Sequence, residues 1–350
     1  MACLICILGV IPRLIFLSTA VLATGTIDRC TNQRQQVMQA VHNSVLRGSA
    51  YNTIIVRFPA VCGRECALDR RCKSFNFSKC HKICELNRGT REEYPEYFAA
   101  ALGTAYFSEF GEDEDTNLTS SIGSSASFYR SCGELYEAGY HSSGIFAIYA
   151  EGLLTSSGLC VYCDMETEGG GWIVLQRRHD SSEDFYRSWN EYRIGFGNLS
   201  SNFWLGNDIL AKLTANRSWT LRVDLEDWDG HRAWAKYPDF KVSPDLYRLE
   251  IGRYDNGSTA GDALSYNRGL PFSTKDRDND EYNSSHCAVV LHGAWWFGKC
   301  GFSHLNGRYY SISEEILFPG IVWYKWKRVV RLSLKSCSIK IRETALHPWG

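Results

Sequence analysis

Three aspartates at alternate positions, Asp276, Asp278 and Asp280, stand in a polar, turn-rich stretch of the chain. Seven residues further on, Cys287 opens a segment that Cys300 closes, with the apolar run Ala294-Trp295-Trp296-Phe297 between them. Alternating aspartates in a loop can aim several oxygens at one point, as a hard divalent cation such as Ca²⁺ requires at about 2.3–2.6 Å. A disulfide across the next segment would hold such a loop still. The spacing also begins an EF-hand, but loop positions 6 and 12, which need Gly and Glu, are Glu281 and Cys287 here. From spacing alone, two readings stay open: a cation loop, or a solvated acidic turn in which Asp and Asn cap their own backbone.

The elements that would position this loop follow from the rest of the chain. Met1 to about Ala23 is an apolar run broken by Pro12 and Arg13 and ending Val21-Leu22-Ala23. It reads as a secretory leader (residues 1–23) rather than a membrane span. No later stretch approaches the roughly 18 apolar residues of a spanning helix. The expected product is soluble, secreted and extracellular. Of fourteen cysteines, Cys3 and Cys6 fall in the leader. The other twelve form two groups of six, Cys30 to Cys84 and Cys132 to Cys337, which suggests two separately stapled domains in an oxidising compartment. Sequons at Asn76, Asn117, Asn198, Asn216, Asn256 and Asn283 suit a secreted glycoprotein. A net charge of −1 offers no basic face for nucleic acid. Eleven Trp, 19 Tyr and 17 Phe point to a core of aromatics and loops.

Between the cysteine groups, residues 111–128 are acidic and then rich in Ser, Thr and Gly, a composition that cannot bury a core and reads as an extended linker. Before it lies a small disulfide-rich module, residues 27–110. There Pro59–Ala67 reads as a helix start with Cys62 and Cys66 on one face, and Lys73–Ser78 alternates as a half-buried strand. Val37, Val41 and Val45 suggest a helix over Gln33–Leu46. The run CGRECALDRRCKSFNFS with Cys84-Glu85-Leu86 resembles the PAN/apple module. That resemblance implies Cys66–Cys72 and Cys62–Cys84 bonds and leaves Cys30 and Cys80 for each other.

After the linker, residues 129–343 carry Cys163-Asp164-Met165, GGGWIVLQRR (Gly169–Arg178), DFYRSW (Asp184–Trp189), LRVDLEDWDG (Leu221–Gly230), AGDALSYNRGLPFSTKDRDND (Ala260–Asp280), HLNGRYY (His304–Tyr310), Trp323 and Trp326. Residues 344–350 form a short tail. The glycine triplet before Trp172 would allow a close backbone approach, and Val174-Leu175 and Leu221–Leu225 read as strands. The whole resembles the fibrinogen C-terminal-like domain of ficolins, tachylectins, tenascins, angiopoietins and fibrinogen. The implied fold is α+β, with a twisted central antiparallel sheet and a loop-rich calcium and ligand subdomain. The resemblance pairs Cys132 with Cys163 and Cys287 with Cys300. Cys160 and Cys337, near the two ends of the domain, remain and are expected to bond, which would add about 3–5 kcal/mol on the chain-entropy model.

The same resemblance implies a Ca²⁺ cofactor held by the carboxylates of Asp278 and Asp280 and the carbonyls of Tyr282 and Ser284. One extra residue before Cys287 lets the last carbonyl slip to Ser285, and Asp276 takes a structural part. The family's ligand pocket would lie beside this loop, against a cis bond that falls here at Lys299-Cys300. Its polar and aromatic features are replaced by Leu291, Gly301 and Leu317-Phe318, leaving an apolar site partly filled by Phe318. Lys299, His292, His304 and Arg308 remain for polar contacts. The charged residues with which fibrinogen grips peptides are absent where Val290, Leu291 and Phe318 stand. No zinc, nucleophile-elbow or phosphate-loop motif marks an enzyme. The expected protein is a secreted, calcium-dependent recognition protein for glycans or extracellular glycoproteins. The alternative is a matrix component or receptor ligand that binds a cell-surface receptor or matrix protein.

Overall fold

Pro59 can open a helix because the first helical N–H has no partner to lose, and α1 (Pro59–Leu68) starts there. Its two buried residues, Cys62 and Cys66, face a five-stranded antiparallel sheet of order β1-β5-β3-β4-β2. The strands are β1 (Met38–Leu46), β2 (Ala50–Ile55), β3 (Ser74–Ser78), β4 (Ile83–Asn87) and β5 (Phe98–Glu109). The structure, a computed structural model, describes residues 38–109, 128–151, 158–310, 320–326 and 333–344. The leader, Cys30, the linker 111–127 with Asn117, the Leu317-Phe318 pair and tail residues 345–350 lie outside the described residues.

Two expectations for this module are corrected. From Met38 to Leu46 the chain is a strand, not a helix. The valines at four-residue spacing are β-branched, and pairing with the twelve-residue β5 decides the matter. β3 is central rather than half-buried: Ser74, Phe75, Asn76 and Phe77 are all buried. Cys62–Cys84 and Cys66–Cys72 clamp the helix to this sheet, around Phe75 stacked on Phe107 at 4.6 Å.

The larger module is built on an eight-stranded antiparallel sheet. Its main path runs β12-β11-β17-β8-β10-β9, and β7 pairs with both β8 and β6. These strands are β6 (Gly144–Ile148), β7 (Leu159–Asp164), β8 (Trp172–Arg178), β9 (Phe196–Gly197), β10 (Phe203–Trp204), β11 (Trp219–Glu226), β12 (Arg232–Tyr237) and β17 (Ser336–Glu343). Helices α2 (Cys132–Glu137), α3 (Trp189–Ile194) and α4 (Asn207–Leu213) pack around it. Two small hairpins, β13 (Lys241–Val242) with β14 (Leu249–Glu250) and β15 (Ser303–His304) with β16 (Val322–Trp323), belong to the loop-rich part, with the short α5 (Cys287–Val290). The glycine triplet has the expected reason: a Cβ on Gly170 would stand 2.5 Å from the Tyr136 ring, and one on Gly171 3.0 Å from Gly133.

The cysteine groups do not stay separate. Cys80 bonds Cys160, joining the small module to the large one, so neither the Cys30–Cys80 nor the Cys160–Cys337 pairing exists. The sheet order gives the physical reason. Cys160 is on β7 and Cys337 on β17, with β8 between them. Two strand spacings alone put them at least about 9.5 Å apart, beyond the roughly 7 Å between Cα atoms that a disulfide can bridge. Cys337 is a buried free thiol, and burial pushes it up to about 12. The joint also carries polar contacts. A register shift between His42 and Ser44 turns Asn43 (φ 54°) toward the larger module. Its Oδ1 accepts from Tyr149 Oη at 3.2 Å and from the Gly103 amide at 3.1 Å. Lys79 Nζ donates to the Gly158 carbonyl at 2.9 Å.

Candidate functional site

The aspartate loop is held at its base by aromatic packing. Phe272, fully buried, stacks on Trp204 at 5.9 Å between centroids and meets Trp296 edge-on at 5.3 Å. Immediately after it, Ser273 exchanges both backbone hydrogen bonds with Trp295, tying the loop to the Cys287–Cys300 segment. Asn279 closes the turn by donating from Nδ2 to the Phe272 carbonyl at 2.8 Å, and its amide donates to Ser273 Oγ. α3 supplies a third anchor. Its capping box, Ser188 with Glu191, fixes the helix start, and the next amide, Trp189, donates to Asp276 Oδ1 at 2.8 Å.

The three aspartates therefore do different work. Asp276 accepts from Trp189 and from Thr274 Oγ1 and braces the loop. Asp278 and Asp280 face each other across the turn. Burial, with the Asp278 carboxylate close by, raises Asp280 above the usual range even though the Cys287 and Tyr282 amides donate to it. Two facing carboxylates, of which Asp280 is raised, are a donor set short of positive charge, which a hard cation would supply. The His286 ring offers little: its Nδ1 accepts from the Val289 amide as the cap of α5, and its Nε2 stands 3.8 Å from Asp278. The Tyr282 carbonyl accepts from the Ser285 amide, closing a turn. The carbonyls of Ser284 and Ser285 accept no backbone hydrogen bond among the described residues. The Ser284 oxygen is one of the two expected carbonyls, and Ser285 is the position to which it can slip.

The expected ligand pocket is partly redrawn. Every described peptide bond is trans, so Lys299-Cys300 is trans and Cys300 takes φ 61° instead. His304 is no surface ligand: it is buried, packs edge-on against Phe297, and neither ring nitrogen has a hydrogen-bond partner among the described residues. Burial, with the Arg178 guanidinium adding to it, pushes it down to about 3. Leu291 ends α5 half-buried against the core, and Lys299 is exposed. His292 and Arg308 are exposed, beside Tyr186 and Tyr310 respectively.

What the sequence reading missed is an aromatic pair. Tyr266 and Phe302 are 42% and 44% exposed and meet edge-on at 5.2 Å. The Lys299 amide donates to Tyr266 Oη, and Lys325 Nζ lies 5.1 Å from the Phe302 ring centre. Gly301 makes the arrangement possible. It takes φ 134°, and a Cβ there would come within 3.0 Å of Asn267 Nδ2 and 3.5 Å of the Tyr266 ring. Gly301 takes the place of the family's feature after Cys300, and Phe302 stands exposed one position further on, visible in the sequence as Cys-Gly-Phe. The Glu281 amide donates to the Gly298 carbonyl, so the aspartate loop and the aromatic pair share one continuous surface. A second acidic group, Asp227, Asp229 and His231 in the β11–β12 turn, also clusters its ligand atoms. There Asp227 accepts from the Asp229 and His231 amides, as an ordinary Asx turn does.

The sequons separate by burial. Asn198, Asn216, Asn256 and Asn283 are exposed. Asn76 is only 1% exposed, and both its Oδ1 and Nδ2 bond Leu46. Its Nδ2 is committed inside the fold, which corrects Asn76 as a glycan acceptor.

Comparison with known proteins agrees with this architecture. Human Ficolin-3 is 49% identical over 197 residues, covering 55% of this chain and 64% of Ficolin-3. Human Microfibril-associated glycoprotein 4 is 43% identical over 218 residues, covering 60% of this chain and 84% of that protein. Human Tenascin-R is 49% identical over 187 residues, 53% of this chain but 13% of its own length. The chain thus spans just under two thirds of Ficolin-3 and a small part of Tenascin-R. The solved fibrinogen-like globe domain of human ANGPTL2 superposes with a TM-score of 0.58 at 35% identity, over 61% of this chain and 99% of that one. Among the described residues no helix is long and apolar enough to cross a membrane. Residues 30–111 match the PAN domain, and residues 128–344 match the C-terminal globular domain of fibrinogen beta and gamma chains. The chain belongs to the fibrinogen C-terminal domain family and carries a PAN domain before that module.

Proposed function

We propose that this chain is an extracellular recognition protein that binds glycans or glycoproteins through the surface formed by the aspartate loop and the Cys287–Cys300 segment, and that it is not an enzyme. The carrying observation is the exposed Tyr266–Phe302 pair flanked by Lys299 and Lys325. Aromatic faces stack on the apolar side of a sugar ring, while ammonium groups donate to its hydroxyl or acidic oxygens. Asp278 and Asp280, with the Tyr282 and Ser284 carbonyls, would hold Ca²⁺. The ion would neutralise the facing carboxylates and stiffen the loop that abuts Gly298.

A second reading, protein binding in the matrix or at a receptor, rests on Val289 and Val290, 42% and 50% exposed on α5 beside the same surface. It also fits the relatives named Tenascin-R and Microfibril-associated glycoprotein 4. A lamprey fibrin D-dimer solved with the peptide Gly-His-Arg-Pro-amide shares the fold at a TM-score of 0.56 and 32% identity.

The test is a glycan array probed with the purified full chain, with Ca²⁺ and with chelator. The Phe302→Ala variant, which leaves the aspartate loop untouched, is run beside it. Calcium-dependent signal lost in Phe302→Ala is the expected result. Silence on the array, with Ca²⁺ still raising the melting temperature, would sink glycan recognition and leave the protein-binding reading.

A further inference from the structure

The aspartate loop carries one more chemical handle. Asn283 lies between Tyr282 and Ser284, with Ser285 completing an Asn-Ser-Ser sequon. It occupies an exposed turn that the Ser285 amide closes on the Tyr282 carbonyl at 2.9 Å.

The other described sequons are more encumbered. Asn76 is buried and committed to Leu46. Asn198 Oδ1 accepts from the amide of Ser200, the third residue of its own sequon. Ser218, the third residue of the Asn216 sequon, reaches Asp239 with its hydroxyl at 3.4 Å. Ser258, the third residue of the Asn256 sequon, accepts from the Lys236 amide. At Asn283 neither the side-chain amide nor the Ser285 hydroxyl bonds a described residue, so a glycan can stand there without breaking a native hydrogen bond.

We infer that Asn283 is an N-glycosylation site and that its glycan shields the recognition surface proposed above; the shielding, though not the modification, rests on that reading. In the transfer, Asn283 Nδ2 attacks the anomeric carbon of an oligosaccharide carried on a polyprenyl pyrophosphate. A C–N bond forms, the C–O bond to pyrophosphate breaks, and the amide proton leaves with the pyrophosphate carrier.

The geometry makes the site consequential. Asn283 is two residues from Glu281, about 7 Å of extended chain, and the Glu281 amide is bonded to Gly298. Lys299 follows Gly298, and its amide is bonded to Tyr266, which packs on Phe302. A branched, strongly hydrated chain rooted at Asn283 is large enough to reach Lys299 and the rim of the aromatic pair from there. The glycosylated form admits a ligand to this surface less readily than the bare form.

The experiment uses the full chain secreted from eukaryotic cells, beside Asn283→Gln and Ser285→Ala, each of which removes the sequon by a different residue. Enzymatic deglycosylation in ¹⁸O water and peptide mapping read occupancy. An amine-reactive polyethylene glycol reads access to Lys299, with exposed Lys212 as the internal control. The expected result is an occupied Asn283 and an unoccupied Asn76, with labelling of Lys299 several-fold faster in both variants and Lys212 unchanged. An unmodified Asn283 in a chain whose other exposed sequons are occupied overturns the site. An occupied Asn283 whose removal leaves Lys299 labelling unchanged overturns the shielding. Glycan-array silence of every form, with the labelling difference present, would fail the glycan-recognition reading and with it the shielding of a glycan site, while the modification and its cover of Lys299 would stand.

Discussion

Replacing both Cys80 and Cys160 by Ser tests the joint between the modules, and its size can be worked from the structure. The bond spans 80 residues. The Cys132–Cys163 bond already shortens that path, because the unfolded chain can run from Cys80 to Cys132, cross to Cys163 and return to Cys160. The effective loop is near two thirds of the direct one, and closing it is worth about 4 kcal/mol on the chain-entropy model. The contacts of Asn43 with Tyr149 and of Lys79 with Gly158 survive the change, so the modules still dock and the loss is that of the unfolded-state constraint. At roughly 1–2 °C per kcal/mol for a chain of this size, the melting temperature should fall by about 4–8 °C. The double variant avoids leaving a thiol that could reshuffle with Cys337. The assay is non-reducing peptide mapping of the native chain, followed by thermal unfolding of both forms without reductant. A Cys160–Cys337 peptide in the native map would refute the strand-order argument. A stability loss below about 1 kcal/mol would refute the loop-entropy one.

Three further outcomes follow from buried polar groups. His304 stays neutral in the fold, pushed down to about 3, but titrates near 6.5 in the unfolded chain. The unfolded chain then takes up the proton first. Stability is therefore complete above about pH 6.5 and falls as pH drops toward 3, by about 1.4 kcal/mol per unit. Denaturant unfolding of wild type and His304→Leu at pH 6.5 and 5 should differ in slope by that amount, and equal slopes would dismiss the buried neutral histidine. Lys340 Nζ holds Asp164 at 2.5 Å and Asp224 at 2.8 Å, with its side chain 6% exposed. Lys340→Met takes the cation from the half-buried Asp164, while Asp224 keeps Arg222 at 2.8 Å, and should cost about 3 kcal/mol, read as a lower denaturant midpoint; a change under about 1 kcal/mol would mean Asp164 is solvated. Asn76→Ala leaves the Leu46 amide and carbonyl without their partner and should cost about 1–3 kcal/mol for each group left unmade. A near-neutral result would show that water replaces the side chain there.

Much of the architecture was already carried by local sequence. The helix at Pro59, the i, i+4 pair Cys62 and Cys66, the strands around Val174 and Leu221 and the glycine triplet before Trp172 are all short-range signals, in which the residue and its immediate neighbours set the backbone. The alternating aspartates belong to the same class: a turn puts Asp278 and Asp280 face to face whatever surrounds it. Asp276 shows where that class ends, since its partner, the Trp189 amide, comes from a helix 87 residues earlier.

What the tertiary structure alone decided depends on strand order and on which atoms meet across the fold. Even counts of cysteine on both sides of a linker suggested two closed groups, yet disulfides form by distance, and β8 stands between Cys160 and Cys337 while Cys80 is brought to Cys160. The valines before Leu46 fit a helix by spacing, and pairing with β5 made them a strand. His304 and Asn76 carry polar side chains that a sequence places at the surface, and only packing against Phe297 and bonding to Leu46 take them inside. Phe302 became half of an exposed pair because Gly301, having no Cβ, lets the backbone pass Tyr266. The sequence by itself determined the modules and the aspartate loop for which a cation is proposed. The docking of those modules and the composition of the surface beside the loop came from contacts between residues far apart in the chain, which local chemistry does not encode.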